Sequence, residues 1–352
     1  ANTSTIRPDA VSGFNLSLKA TSNNSTFVGA MINTELPPDH SLEVAAQVNG
    51  TGDDLQILNG SLGVDSSDLT ASIVNITGRY RPGQPSTGIS ELAGEVSVAI
   101  SDTSALSQYS GREIPVLGPA ELSGSLKQTG NRFSLEPVSL KVVGDELGLT
   151  ASGRIQNLEA FSGVQLRSRV ERLDIEQLLA FALENFQYEG ELGYLQGSFE
   201  LADRENTWNV SNLVLENTQG NAARPLDISA KGVVNDLTGF TTGDLEAEVA
   251  IHDTALLEAL TGLRARPLKA SARVATTPEN VHLKASGYAG DTEIQADIQA
   301  AYTAAGLSGL TVSFSTPHLH LADLGLQANQ DSSDGYAPAA NIETDARGSL
   351  EA

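Results

Sequence analysis

Cysteine is absent from all 352 residues, which excludes a disulfide framework, a thiolate metal site and a cysteine nucleophile. Basic side chains are scarce: 21 Lys and Arg stand against 44 Asp and Glu, a formal net charge of −23. A surface of that sign repels phosphate backbones, so nucleic acid is excluded as a partner, and it disfavours lying flat on an anionic membrane. Long hydrophobic runs are missing as well. The longest, such as residues 178–183, fall far short of the ~20 apolar residues of a transmembrane helix. The chain opens on Ala1-Asn2-Thr3-Ser4-Thr5, unlike the basic and hydrophobic start of a signal peptide.

Catalytic signatures are equally lacking. The chain holds no phosphate loop, no G-x-S-x-G, no H-E-x-x-H, no EF-hand loop and no glycine-aspartate nonapeptide. His318 and His320 lie two apart, so on a strand their rings share a face and could grip a metal at two points, but no third ligand is indicated. Carboxylate pairs such as Glu246 with Glu248, or Asp65 with Asp68, arise freely among 44 acids. The expectation is a chain without metal or cofactor, and not an enzyme.

What is present is alternation. In the stretch from Ala120 to Leu158, Leu122, Gly124 and Leu126 alternate with polar neighbours, and Thr129-Gly130-Asn131 makes a turn. Phe133, Leu135, Leu140 and Val142 follow, Gly144-Asp145 turns the chain again, and Leu147, Leu149, Ala151, Gly153 and Ile155 share one face. Period-two alternation broken by Gly, Asn and Asp predicts an antiparallel sheet with one apolar and one polar face.

The pattern returns. Aligning the first strand of each sheet at Leu42, Leu122, Leu195 and Leu268 gives separations of 122 − 42 = 80, 195 − 122 = 73 and 268 − 195 = 73. A second landmark keeps the same beat, a strand that ends in Asp and passes into a short helical run, at Asp102, Asp174 and Asp253. Each Asp is predicted to be a helix N-cap, its carboxylate accepting the free amides of the first turn. The longest of these helices is expected from Asp174 to about Tyr188, with Leu178, Leu179, Ala182, Leu183 and Phe186 on its buried side.

The predicted organisation is one elongated repeat array. Residues 1–33 end a preceding repeat; repeats follow over 34–88, 89–163, 164–242 and 243–312; residues 313–352 begin a further repeat and include a flexible tail. Because the pattern runs to both ends, the chain reads as a segment of a longer protein.

The unit opens L-x-G-x-L before a Gly-Asn or Gly-Asp turn, continues F-x-L-x-x-V-x-L-x-V and closes G-x-x-L-x-L-x-A-x-G-x-I, best seen from Leu122 to Ile155. With the strand-Asp-helix element around Asp102, Asp174 and Asp253, it resembles the AsmA-like superfamily of Gram-negative envelope proteins. The resemblance implies a mainly β fold, an elongated antiparallel sheet curved into an open groove with short helices between repeats. It also implies a periplasmic body, an inner-membrane anchor and a role in passing phospholipid to the outer membrane.

An amphipathic strand series must hide its apolar face, and a twisted sheet can curl to enclose it. Incompletely filled, that interior is a trough for acyl chains, with Leu135, Leu140, Val142, Leu147, Leu149, Ile155, Leu283, Ile294 and Ile298 as candidate lining; filled, it is a dry core. The expected partners are phospholipids, and inner- or outer-membrane proteins at the ends of the full-length chain. Two other functions stay open: an assembly factor offering open strand edges to outer-membrane proteins, and an adhesin-like β-solenoid with a closed core.

Overall fold

Alternation in the sequence becomes a run of antiparallel strands, each paired with the next. A computed structural model describes residues 13–23, 41–51, 54–81, 89–107, 116–182, 186–204, 207–218, 224–237, 242–261, 266–277, 279–303, 306–319 and 342–349. The chain divides into two units, Ala1–Ser168 and Arg169–Ala352. The architecture is mainly β, as the sequence predicts, and the sheet is open in each unit.

The first unit holds β1 (Phe14–Ser22), β2 (Ser41–Thr51), β3 (Asp54–Asp65), β4 (Leu69–Tyr80), β5 (Ile89–Ile100), β6 (Ala120–Thr129), β7 (Arg132–Val143), β8 (Leu147–Asn157) and most of β9 (Ser162–Asp174). Strands β1 to β8 pair in chain order. Their register stacks like with like. Ile100, Ala120, Val142 and Leu149 form one cross-strand row, and Val98, Leu122, Leu140 and Ala151 the next. On the opposite face, Ser97, Ser123, Ser139 and Ser152 are successive partners. A slip of one residue would exchange the two faces, so burial of one face fixes the register.

Two sequence features set the local geometry. The two-residue hairpin between β6 and β7 places Gly130 at φ +63°, a left-handed conformation that glycine adopts without steric cost. Gly153 permits close approach of β9 to β8: a Cβ there would meet the Gln165 backbone oxygen at 1.9 Å. Gly153→Val is therefore expected to destabilise the first unit by about 1–3 kcal/mol through overpacking. Urea denaturation measures it, and an unchanged midpoint would contradict the strand contact.

The second unit continues with α1 (Ile175–Ala182), β10 (Tyr194–Arg204), β11 (Thr207–Thr218), β12 (Leu226–Asn235), β13 (Thr242–Ile251), α2 (Thr254–Thr261), β14 (Leu268–Thr276), β15 (Asn280–Ala289), β16 (Thr292–Thr303), β17 (Gly306–Leu319) and β18 (Ile342–Ser349). Strands β10 to β18 again pair antiparallel in chain order. The aligned leucines Leu42, Leu122, Leu195 and Leu268 fall at or within two residues of the starts of β2, β6, β10 and β14, four strands apart.

Alternate connections of a meander lie at opposite ends of its strands. In the second unit one margin carries the connections from β10 to β11, β12 to β13, β14 to β15 and β16 to β17. The other margin carries both α1 and α2.

Candidate functional site

The candidate site is the apolar face of the sheet, and it differs along the chain. In the first unit Leu126, Leu135, Val138, Ile155 and Val164 are 0–8% exposed, a packed interior that excludes water. Leu135 pairs with both Leu126 and Ile155, so one buried row crosses three strands. Val142 is also buried, in a cluster with Ile100 and Ala120. Leu147 and Leu149 pack on that cluster, with Leu106 from the 3-10 turn at Thr103–Leu106 and Leu117 beyond it. Leu135, Val142 and Ile155 are thus packed among side chains of neighbouring strands. Leu140 remains half-buried.

In the second unit the nominated Leu283, Ile294 and Ile298 are all half-buried. Leu283 and Ile298 are direct partners in a row formed by Leu245, Val274, Leu283, Ile298 and Val312. Ile294 sits two rows away on the same face, with Val249, Ala270 and Gly287, beyond the row Ala247–Ala272–Ala285–Ala296. Leu283 and Ile298 stand outside the buried cluster that α2 joins at the other end of the strands.

That end is closed by a cap. Ile175 of α1, Leu192, and Leu256 and Leu257 of α2 cluster with Leu195, Leu226 and Ile251 of the sheet, all 0–5% exposed. Phe186 and Tyr188 pack against them. The helix expected to reach Tyr188 is described only over Ile175–Ala182; residues 183–185 lie outside the description, and Phe186–Tyr188 are not helical. Their side chains turn back onto the cluster, which continued helical geometry would have spread around a cylinder.

The three aspartates hold these helical turns. Asp102 Oδ1 accepts the Ser104 N–H at 2.8 Å, and Oδ2 accepts the Gly118 N–H at 3.2 Å. Asp174 Oδ1 accepts from Glu176 and Gln177 at 2.9 and 3.2 Å. Asp253 Oδ1 accepts the Ala255 N–H at 2.7 Å, while its Oδ2 accepts the Tyr188 hydroxyl at 2.8 Å. The last bond joins residues 65 apart in sequence, and no local pattern announces it. Equally hidden from sequence was the stacking of the Arg172 guanidinium over the Tyr194 ring, 3.7 Å from its centroid.

The Tyr188–Asp253 bond makes the cap sensitive to pH. Burial, then the bond to Asp253, pushes the Tyr188 hydroxyl up to about 12. The Tyr188 bond, then the α2 amides, hold the Asp253 carboxyl below its usual value. An unfolded Tyr ionises near ~10, so its contribution is complete below that pH and is lost as pH rises towards 12; the Asp253 contribution is present above ~3.9 and is lost as pH falls through the folded pKa. Tyr188→Phe is expected to remove the alkaline loss of α2 protection between about pH 10 and 12. Comparing thermal unfolding of both proteins across that range checks it; an identical alkaline limb would refute the assignment.

The polar face also carries a shallow depression of about 800 Å³, lined by Arg273, Lys284, Asp297, Gln295, Ser271 and Ser286 among others. Its charges are matched internally. Arg273 Nε and Nη2 donate to Asp244 at 2.8 and 2.5 Å, and this guanidinium keeps the Asp244 carboxyl below its ordinary range. Glu246 is paired with Lys231 at 2.8 Å. The nominated groove residues line neither this depression nor the two smaller ones at Thr129–Arg132 and around Arg79.

Among the described residues no group of three or more His, Asp or Glu could hold a metal ion. The side chains of His318 and His320 lie outside the description. No described helix is long and apolar enough to cross a membrane. Comparison of the chain with family models, curated proteins and solved structures matches none of them.

Proposed function

We propose that the chain is a non-catalytic, repeat-built periplasmic segment of an AsmA-like envelope protein, whose apolar sheet face seats phospholipid acyl chains in transit between the membranes. One observation carries the reading. The row Leu245–Val274–Leu283–Ile298–Val312 crosses five strands, its members half-buried and outside the buried cluster at the α2 end. A single-layer sheet cannot shield such a face by itself, and apolar area left in water costs roughly 25 cal/mol per Å². An acyl chain supplies cover without needing any hydrogen bond from the site. The acidic charge fits a hydrated exterior around an apolar floor.

Native mass spectrometry with lipid extraction, on the chain purified from bacterial envelope fractions, tests this. Bound phospholipid in molar amounts is the expected result. A folded protein that carries none, and takes up none from vesicles, would overturn it.

A second reading, assembly of partner proteins by strand addition, is favoured by β1. Its Leu16 and Leu18 are 46% and 51% exposed. Lipid-free protein that captures an unfolded outer-membrane strand would move the assignment there.

A further inference from the structure

The depression on the polar face of the second unit, about 800 Å³ in volume, crosses β13 to β17. We propose that it is a saccharide site, which takes a neutral glycan by hydrogen bonds from cross-strand pairs of charged and hydroxyl side chains and by stacking on Tyr288. Neighbours on a strand point to opposite sides, so Lys284 and Asp297 face away from Leu283 and Ile298. The proposal therefore stands independently of the acyl-chain reading.

Strand register builds the site. Arg273, Lys284, Asp297 and Ser313 form one row, and Ser271, Ser286, Gln295 and Ser315 the next row on the same face. Each polar group is fixed by a neighbour and keeps capacity for a ligand. Asp244 holds Arg273 through Nε and Nη2, two of the nitrogens of a guanidinium that carries five N–H donors in all. Asp297 Oδ1 is 2.9 Å from His282 Nε2 and accepts from Gln299 Nε2 at 3.1 Å. Lys284 Nζ stands 4.0 Å from Oδ2, beyond hydrogen-bond length, so that oxygen has room for a closer donor. The Ser271 and Ser286 hydroxyls lie 3.0 Å apart.

Charge selects the ligand. Two carboxylates, Glu246 and Asp297, and two cations, Arg273 and Lys284, line the depression, which is thus balanced within a chain of net charge −23. A phosphate would face both carboxylates, and a divalent metal would face both cations. A sugar hydroxyl donates and accepts at once, and the adjacent Lys284 and Asp297 serve both roles. Tyr288 supplies an apolar surface: it is 53% exposed, lies two residues beyond Ser286 on the same face, and pairs with Lys269 and Glu293. Its ring offers an apolar body with a polar tip, which suits the C–H face of a pyranose. The volume falls within the ~300–1,000 Å³ of small-ligand sites.

Titrating the isotope-labelled intact chain with cellotetraose, and separately with inorganic phosphate, tests this by amide chemical shifts. Saturable shifts at Ser271, Arg273, Lys284, Ser286 and Gln295 are expected with cellotetraose, half-complete at or below about 1 mM. The double variant Arg273→Ala with Tyr288→Ala is expected to weaken binding at least about tenfold, a difference of about 1.4 kcal/mol. Both side chains are more than half exposed, so its urea midpoint should match the parent's, and its extractable lipid should be unchanged because the apolar face is untouched. Gln295→Ala, on another strand, is expected to weaken binding at least about threefold and gives the same reading should the double variant misfold. Unchanged affinity in a folded variant, phosphate shifting these amides more strongly than the glycan, or no saturable shift up to about 10 mM would overturn the saccharide site.

Discussion

Leu135→Asp is expected to unfold the first unit, whereas Leu283→Asp leaves the second folded and abolishes its lipid occupancy. The two leucines occupy equivalent places in their sequence patterns, each on the apolar side of the strand that follows the aligned leucine strand, β7 after β6 and β15 after β14. Their surroundings differ: Leu135 is 2% exposed and pressed between Leu126 and Ile155, while Leu283 is half-buried between Val274 and Ile298. An unpaired carboxylate in the first setting costs several kcal/mol after relaxation, a large share of the ~5–15 kcal/mol that stabilises a domain. In the second setting the carboxylate keeps access to water and only removes apolar floor. Circular dichroism with urea titration reads the folds, and lipid extraction reads occupancy. A folded Leu135→Asp protein would refute the dry core. An unfolded Leu283→Asp protein would refute the open face.

Leu256→Ala should lower the stability of the second unit by about 2–5 kcal/mol, the range for deleting a fully buried leucine without collapse of the space it leaves. Helix propensity does not confuse the result, since alanine is the best helix former. The substitution removes the side chain that ties α2 to Ile175, Leu192 and Ile251. Faster amide exchange within α2, where the Leu257 N–H donates to the Asp253 carbonyl at 3.1 Å, should accompany the lower urea midpoint. A loss below about 1 kcal/mol would mean that the cap is not packed on the sheet.

Much of the local structure was legible because it depends on near neighbours. The turn at Gly130, the strand starts near Leu42, Leu122, Leu195 and Leu268, and the carboxylates that accept helix amides at Asp102, Asp174 and Asp253 all follow from residues within a few positions. The end of α1 did not. Its apolar spacing continues through Phe186, yet Phe186 and Tyr188 are recruited to a cluster whose other half lies in α2. Burial was illegible for the same reason: Leu135 and Leu283 share a pattern, and alternation tells which face a side chain takes without telling what stands opposite.

The sequence by itself determined an acidic, cysteine-free chain of amphipathic strands, their antiparallel pairing and their helix-starting aspartates, since composition, period-two alternation and capping are properties of adjacent residues. Only the tertiary structure decided which part of the apolar face is packed dry, which part is left half-covered, and that both helices of the second unit close one margin. Those outcomes rest on contacts such as Tyr188 with Asp253, between residues 65 apart. Contacts at that range depend on where the whole meander brings each strand end, and no local pattern encodes it.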